Sequence, residues 1–587
     1  MQTLDLARLG NGRELEADLI IIGGGPAGLT VAREFFGHQT RVLVLESGRL
    51  EEDARIGALN RVESVGQPSM EVQIERRAAF HGASAQSWSP AEQPYGVRCR
   101  VLGGSSHAWA GKSAAFDSLD FEPRSWVPYS GWPLARADLE PHIDRAAEQL
   151  NLGPSVSGDG LWSLMGCRPP EPQLDAEALR PFFWQFARSR IDRLDVMRFG
   201  PEFMREDAAN VRTLLNATVT RILTNDTGSK FEGVEVACLE GVRARVRGKV
   251  CVLAASGVEN ARLLMASNQI CQAGIGNDHD VVGRFLLDHP SARLGRYDAA
   301  DAARVVDRFG FYGLSQAGRT HMYMHGLALP RSVQEQEGLL NCALYILEER
   351  APDDPLEALK RLLTRKSAAI GADLAALARS PGLLAKGVGM KALQGSLLPE
   401  RVKTTVVNAA IRLNPNLVAR EHLNRGIPHK LTGLIVEGIS EQKPDPDSRI
   451  TLSETKDELG VARAKINWKI DRDARRSLAR LGQQMSREFD RVGLPPPALD
   501  AWVKQNSLDD AAVIDMAHTM GTTRMADDPK QGVVDSDCRV HGVSGLYIAG
   551  ASVFPTGGHA NPTLMILALA IRLSDHLKHT AAARQNS

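Results

Sequence analysis

Two residues in the last quarter of the chain have types suited to taking a proton and steadying an oxygen. His518 stands in MAHTMGTTRM, and Asn561 stands in SVFPTGGHANPT. A neutral imidazole, with an ordinary pKa of about 6.5, accepts a proton near neutrality. A carboxamide aimed at the same oxygen would stabilise the charge that develops there. His559, two residues before Asn561, is a rival base, although it reads better as a loop histidine in the pocket wall. A lone histidine is usually structural, so the role of the pair depends on the elements around it.

Those elements are legible. Residues 546–549 form an apolar strand that runs into Gly550-Ala551-Ser552 and a loop over 553–560. A helix is predicted over 562–577, with Asn561 as N-cap and Pro562 as first helical residue. Its N-terminus would present a fixed positive partial charge to the site.

A second arrangement lies at the other end of the chain. Residues 19–22 form a short apolar strand running into Gly23-Gly24-Gly25-Pro26-Ala27-Gly28, followed by a helix over 29–36 and a strand over 41–45 that ends on Glu46. That order makes a dinucleotide-binding turn. Gly23 permits the tight bend, Gly25 lets backbone approach a pyrophosphate, Gly28 allows close helix packing, and Ala27 lies in the same turn. Glu46 sits where a carboxylate grips a ribose hydroxyl. The turn does not choose between FAD and NAD, but a single such unit near the N-terminus favours FAD as resident cofactor. A further glycine loop, Gly103-Gly104-Ser105-Ser106 before His107-Ala108-Trp109, offers amides and hydroxyls for close approach, or a hydroxyl-capped turn.

With 587 residues, two large lobes are expected. The 70 Lys+Arg balance the 70 Asp+Glu, which argues against a chain built as a whole for nucleic acid. The seven cysteines are dispersed without metal-ligand spacing, so no metal site is expected and the thiols read as reduced. The first residues lack the apolar core of a secretory signal, and no window suits a spanning helix; a cytoplasmic protein is expected.

Taken together, IIIGGGPAG, LGGSSHAWAG, VGRFLLDHP and HTMGTTRM with SVFPTGGHANPT resemble the glucose–methanol–choline (GMC) oxidoreductases over nearly the whole chain, most of all the bacterial sugar dehydrogenase and pyranose oxidase branch. The resemblance implies an α/β Rossmann-like FAD-binding domain and an interleaved substrate domain on an antiparallel sheet. It implies hydride transfer from an alcohol carbon to flavin N5, with His518 taking the hydroxyl proton and Asn561 as its partner. Gly103, Gly104, Ser105, Ser106, Gly550, Ala551, Asn561, Pro562 and Thr563 become FAD contacts, and backbone at Val219 meets the adenine. Trp109 and His559 become candidates for the substrate pocket.

Some family members attach FAD through a histidine, but the matching position here is Ala108, which predicts noncovalent FAD. Two further departures are the absence of Ser-Pro after 252–257 and Gly550 in place of a common Asp. The expected substrate is a sugar, glycoside or aminosugar hydroxyl. The alternatives are a non-sugar alcohol of specialised metabolism and non-redox, lyase-type chemistry on the same fold. The electron acceptor is O2, a quinone or another carrier, and the oligomeric state is open.

The FAD domain is expected over 1–130, 206–290 and 511–587, and the substrate domain over 131–205 and 291–510. Residues 441–468 resemble substrate-domain strands. Within 357–420 stand eleven Lys/Arg and three Asp/Glu among apolar runs. This basic helical insertion suits contact with a membrane surface or partner subunit, a lid, or ordinary solvated helices.

Overall fold

A computed structural model describes residues 1–66, 74–75, 88–89, 91–156, 158, 160–166, 168–191, 196–306, 308–316, 319–363, 367–394, 399, 401–402, 405 and 429–585. Its first sheet has eight strands. Gln2–Asp5, Val211–Leu215, Val42–Leu45, Arg13–Ile22 and Arg243–Leu253 lie side by side in parallel, and Leu546–Ile548 pairs in parallel with the end of Arg243–Leu253. The hairpin Thr218–Thr224 and Phe231–Ala237 completes the sheet with antiparallel pairing. Leu19–Ile22, Val42–Leu45 and Cys251–Leu253 are buried on both faces, which is why they read as unbroken apolar runs.

The second sheet is antiparallel, in the order Ala498–Leu499, Ser291–Asp298, Leu431–Ser440, Cys342–Arg350, Arg319–Ala328, Arg180–Phe186, Lys112–Ser113, with Phe311–Gln316 pairing on Arg319–Ala328. Helix Arg472–Arg491 covers it, placing Leu478, Leu481, Met485 and Phe489 in the same apolar cluster as Leu294, Leu344 and Val436. The expected mixed α/β architecture with an interleaved antiparallel domain is therefore the observed one.

Two segments expected in the substrate domain make contacts with the nucleotide-binding lobe. Helix Arg136–Gln149 falls in a segment expected in the substrate domain, and its Leu139, Ile143 and Ala146 are buried in the large apolar cluster that both sheets share. It packs along the last helix, Thr563–Gln585, and Arg145 bridges that helix to the glycine-turn helix by pairing with Asp575 (2.5 Å) and Glu34. The hairpin Arg449–Lys456 and Ala462–Asn467, also expected in the substrate sheet, forms a separate three-stranded sheet with Glu63–Ser64. It is tied to helix Ser256–Ala266 of the nucleotide lobe, because Arg262 pairs with Asp457 at 2.6 Å and donates to the Ala462 carbonyl at 2.7 Å.

The basic insertion contains helices Pro355–Leu363, Ile370–Arg379 and Pro381–Gln394, the first two joined by an Arg361–Asp373 ion pair. Residues 364–366, 395–398, 400, 403–404 and 406–420 of that segment lie outside the described residues. Among the described residues, no helix is long and apolar enough to cross a membrane, and no group of residues could hold a metal ion. Six cysteines are free thiols; Cys167 lies outside the described residues.

Candidate active site

A cavity of about 550 Å³ lies between the two sheets. Its nucleotide end is built by the glycine turn. Strand Arg13–Ile22 ends at Gly23, whose φ of 107° and contact of a would-be Cβ with Ala254 O (2.5 Å) restrict the position to glycine. Helix Pro26–Glu34 starts at Gly25, which supplies no capping side chain, so its first amides face the cavity unscreened. Gly28 does not line the cavity: a Cβ there would stand 2.0 Å from Gly23 O, so this glycine sets how closely the helix lies on the strand.

Glu46 lines the cavity and accepts N–H bonds from Gly24 and Gly48, both at 2.7 Å, while burial pushes its carboxyl upward. Gly25, Ala27, Gly104, Ser105, Ser106, Trp109, Val219, Gly550, Ala551, Asn561, Pro562 and Thr563 also line the cavity, whereas Gly103 lies behind the wall, its would-be Cβ 2.6 Å from Gly200 N.

One group in this wall has no counterpart among the sequence expectations. Glu259 pairs with Arg98 (2.9 Å), Arg100 (3.1 Å) and Arg262 (2.9 Å). Burial alone would raise the Glu259 carboxyl, but the three guanidiniums hold it down at about 2, and burial lowers Arg98 to about 10. Asp457 pairs with Arg262 as well, and Arg100 also lies within electrostatic reach of Glu46 at the glycine turn, so three cations are matched by three carboxylates there. Unscreened amides and glycine cradles fit a dinucleotide diphosphate.

His518 and Asn561 meet at the other end. Asn561 Nδ2 is 3.3 Å from His518 Nε2, and the Asn561 side-chain oxygen is buried without a partner. The helix begins at Thr563, not Pro562, because Ile566 N–H donates to Pro562 O (2.9 Å). The cap therefore falls one residue later than expected, and the Asn561 side chain is left to face His518.

His518 is held from behind. His289 Nε2 lies 3.2 Å from the Gly557 carbonyl, and its Nδ1 lies 2.8 Å from His518 Nδ1. Burial lowers His289 to about 4, so the ring is neutral at pH 7. A carbonyl only accepts, so His289 Nε2 carries the hydrogen and its Nδ1 is an acceptor. His518 must then donate from Nδ1, which leaves its Nε2 lone pair on the Asn561 side. Asp288 fixes the backbone: Oδ1 accepts from Met516 N (2.9 Å), and Oδ2 accepts from His518 N (3.0 Å) and Tyr95 OH (3.1 Å).

This chain of acceptors predicts that His289→Leu slows cofactor reduction by roughly 10–100-fold, the usual effect of removing an orienting partner. His289→Gln, whose amide oxygen can accept from His518, should recover part of the rate. Anaerobic stopped-flow spectroscopy of both variants checks this; equal losses would break the tautomer assignment.

His559 does not line the cavity. It is buried between Phe182 (4.4 Å between ring centres) and Trp184, burial lowers it to about 3, and neither ring nitrogen has a partner. The loop folds its side chain beneath the wall, so among the described lining residues His518 is the only histidine. Trp109 does line the cavity, its indole N–H donating to Met197 O at 2.7 Å.

Fold and site together define a dinucleotide-binding α/β protein in which a histidine and an asparagine face one cavity. Family models described as GMC oxidoreductase match residues 202–291 and 444–570. The chain is 24% identical to paromamine 6'-oxidase of Streptomyces fradiae over 94% of its length and 90% of that protein's. It is 22% identical to 2-methyl-1,2-propanediol dehydrogenase of Mycolicibacterium austroafricanum, over 96% and 95% respectively. Among solved structures, pyridoxine 4-oxidase from Mesorbium loti shares the fold, with a TM-score of 0.52 at 17% identity, covering 96% of this chain and 99% of that one. The chain belongs to the GMC oxidoreductase family: it is an FAD-dependent oxidoreductase acting on alcohols.

Proposed function

We propose that this enzyme oxidises a CH–OH group to a carbonyl, with His518 as the proton acceptor and Asn561 orienting the same oxygen. Bound FAD supplies the acceptor for the hydride. The observation that carries the reading is the convergence of His518 Nε2 and Asn561 Nδ2 on one side of the cavity. A hydroxyl seated between them donates its hydrogen to Nε2 and accepts from Nδ2. As Nε2 gains the proton, the His518 Nδ1–H to His289 bond steadies the imidazolium, and the Asn561 amide stabilises charge left on oxygen.

Glu46 is positioned to take a ribose hydroxyl, since each of its oxygens retains a lone pair beyond the backbone bond it accepts. The Val219 backbone and the glycine loops line the remainder of the nucleotide path. His107, the nearest candidate for a covalent link, turns its Nε2 to the Leu102 carbonyl (3.1 Å) and does not line the cavity. This orientation supports FAD held without a histidyl bond. Acid precipitation should leave a colourless pellet and a yellow supernatant; a yellow pellet would refute this.

Two substrate readings remain. A sugar or aminosugar draws support from the relative named as a paromamine 6'-oxidase. The walls contributed by the antiparallel lobe are mostly apolar (Phe186, Phe311, Met324 and Leu347, with Lys112 and Tyr345 as polar exceptions) and favour the second, a non-sugar alcohol, because they offer few partners to a ring of hydroxyls. A panel of sugars and non-sugar alcohols, scored by anaerobic bleaching of the flavin, tests both the reaction and this preference. Repeating the productive case with oxygen, and with a quinone in its absence, identifies the electron acceptor.

A further inference from the structure

Lys112 stands on the two-residue strand that follows the second glycine loop and pairs with Phe186 at the end of the antiparallel sheet. It lines the cavity. Its ammonium lies over two rings, 3.5 Å from the centre of Tyr345 and 4.1 Å from that of Trp184. Ring faces attract a cation but accept no conventional hydrogen bond, so the three N–H donors of Nζ are poorly served by this cage.

Among the described residues no carboxylate forms an ion pair with Lys112. The acidic group within electrostatic reach is Glu437, whose Oε1 already accepts from Ser291 Oγ at 2.7 Å. Enclosure by protein pushes the Lys112 ammonium well below its ordinary range, with Glu437 opposing that shift. Lys112 is half-buried, open only towards the cavity; a cation in such a poorly solvated place is costly unless something pairs with it, and the neighbouring walls (Trp109, Phe186, Phe311, Met324 and Leu347) hold no anion. Trp184, one ring of this cage, also packs against His559, two residues before Asn561, so Lys112 stands towards the reacting end of the cavity.

We propose that Lys112 is a specificity residue that receives an oxyanion of the substrate, so that the preferred alcohol has an apolar body, a hydroxyl at one end and a carboxylate or comparable anion at the other. The anion takes the Nζ donors, the body lies against the aromatic and aliphatic walls, and the hydroxyl reaches His518 and Asn561. A cationic amino alcohol is disfavoured, because its charge would be brought towards Lys112 in a poorly solvated site. This assignment deepens the alcohol-oxidation reading and rests on it for the role of the hydroxyl.

The test uses the FAD-loaded enzyme and separates binding from oxidation. Binding of 4-methylbenzoate and of the uncharged 4-methylbenzamide, neither carrying an alcohol, is followed by perturbation of the flavin spectrum and by calorimetry. The carboxylate should bind about 10–100-fold more tightly than the amide, the range expected for one hydrogen bond between charged groups. Lys112→Met should erase that difference while FAD content and melting temperature hold, and Lys112→Arg should restore part of it.

The matching alcohols, 4-(hydroxymethyl)benzoate, its amide and 4-(aminomethyl)benzyl alcohol, are then compared by kcat/KM. The carboxylate should lead in the wild type and lose its lead in Lys112→Met. Equal binding of carboxylate and amide, a preference that survives Lys112→Met, or no binding of the carboxylate overturns the assignment. Lys112-dependent binding without flavin bleaching would sustain the assignment and count against alcohol oxidation.

Discussion

His518→Ala keeps its FAD and is reduced by the alcohol about 10²–10⁴-fold more slowly than the wild type, the range for loss of a positioned general base. The cofactor is retained because the groups placed for its nucleotide, the glycine turn and Glu46, do not include His518. The rate falls because hydride leaves a neutral alcohol carbon far less readily than a carbon whose oxygen is losing its proton. Asn561 remains in such a variant, and His289 loses only a donor, so the surrounding frame should survive. Anaerobic stopped-flow measurement of flavin reduction, with FAD content determined on the same sample, reads both halves. Wild-type reduction rates would remove His518 from the chemistry. Loss of FAD would mean that the residue supports the cofactor site instead.

The second large effect lies at Gly28. A Cβ there meets Gly23 O at 2.0 Å and Ile21 Cγ2 at 3.1 Å, and neither backbone nor strand can yield that far. Gly28→Val must lift helix Pro26–Glu34 from strand Arg13–Ile22, and the amides at the helix start move with it. Overpacking of this kind costs about 3 kcal/mol or more where the contact is backbone. The expected product is a colourless protein with a lowered melting temperature that added FAD does not turn yellow. Stoichiometric flavin in purified Gly28→Val would show that the turn tolerates a side chain and that the cofactor is held elsewhere.

Residues with short-range signals are legible in the sequence itself. Gly23 to Gly28 lie between a strand and a helix whose apolar periods are visible in the chain, so the turn and its purpose follow directly. His518 and Asn561 are far apart in sequence, where only family resemblance pairs them; in the fold a 3.3 Å contact brings the two side chains together. The helix start differs from the sequence expectation by one residue because Asn-Pro is a strong cap signal, whereas the first hydrogen bond decides the cap.

Other features depend on pairings that no local pattern announces. Lys112 occupies a two-residue strand, and its cage is completed by Trp184 and Tyr345 from separate strands. Arg98, Arg100 and Arg262 look like scattered surface charges until Glu259 gathers them. Helix Arg136–Gln149 and the hairpin ending at Asn467 read as parts of the intervening domain by position in the chain, but ion pairs tie them to the nucleotide lobe. His289 lies in VGRFLLDHP, a run that carries the family resemblance, but its role depends on which atom faces Gly557.

The central claim is that alcohol oxidation proceeds with proton transfer to His518. Its most direct test is anaerobic mixing of the FAD-loaded wild type and His518→Ala with the best alcohol from the panel, with the carbinol hydrogen in light and deuterated forms. The wild type should bleach, deuterium should slow the bleaching, and His518→Ala should bleach about 10²–10⁴-fold more slowly with its flavin still bound. If no alcohol bleaches the flavin, or if His518→Ala bleaches as fast as the wild type, the claim is wrong.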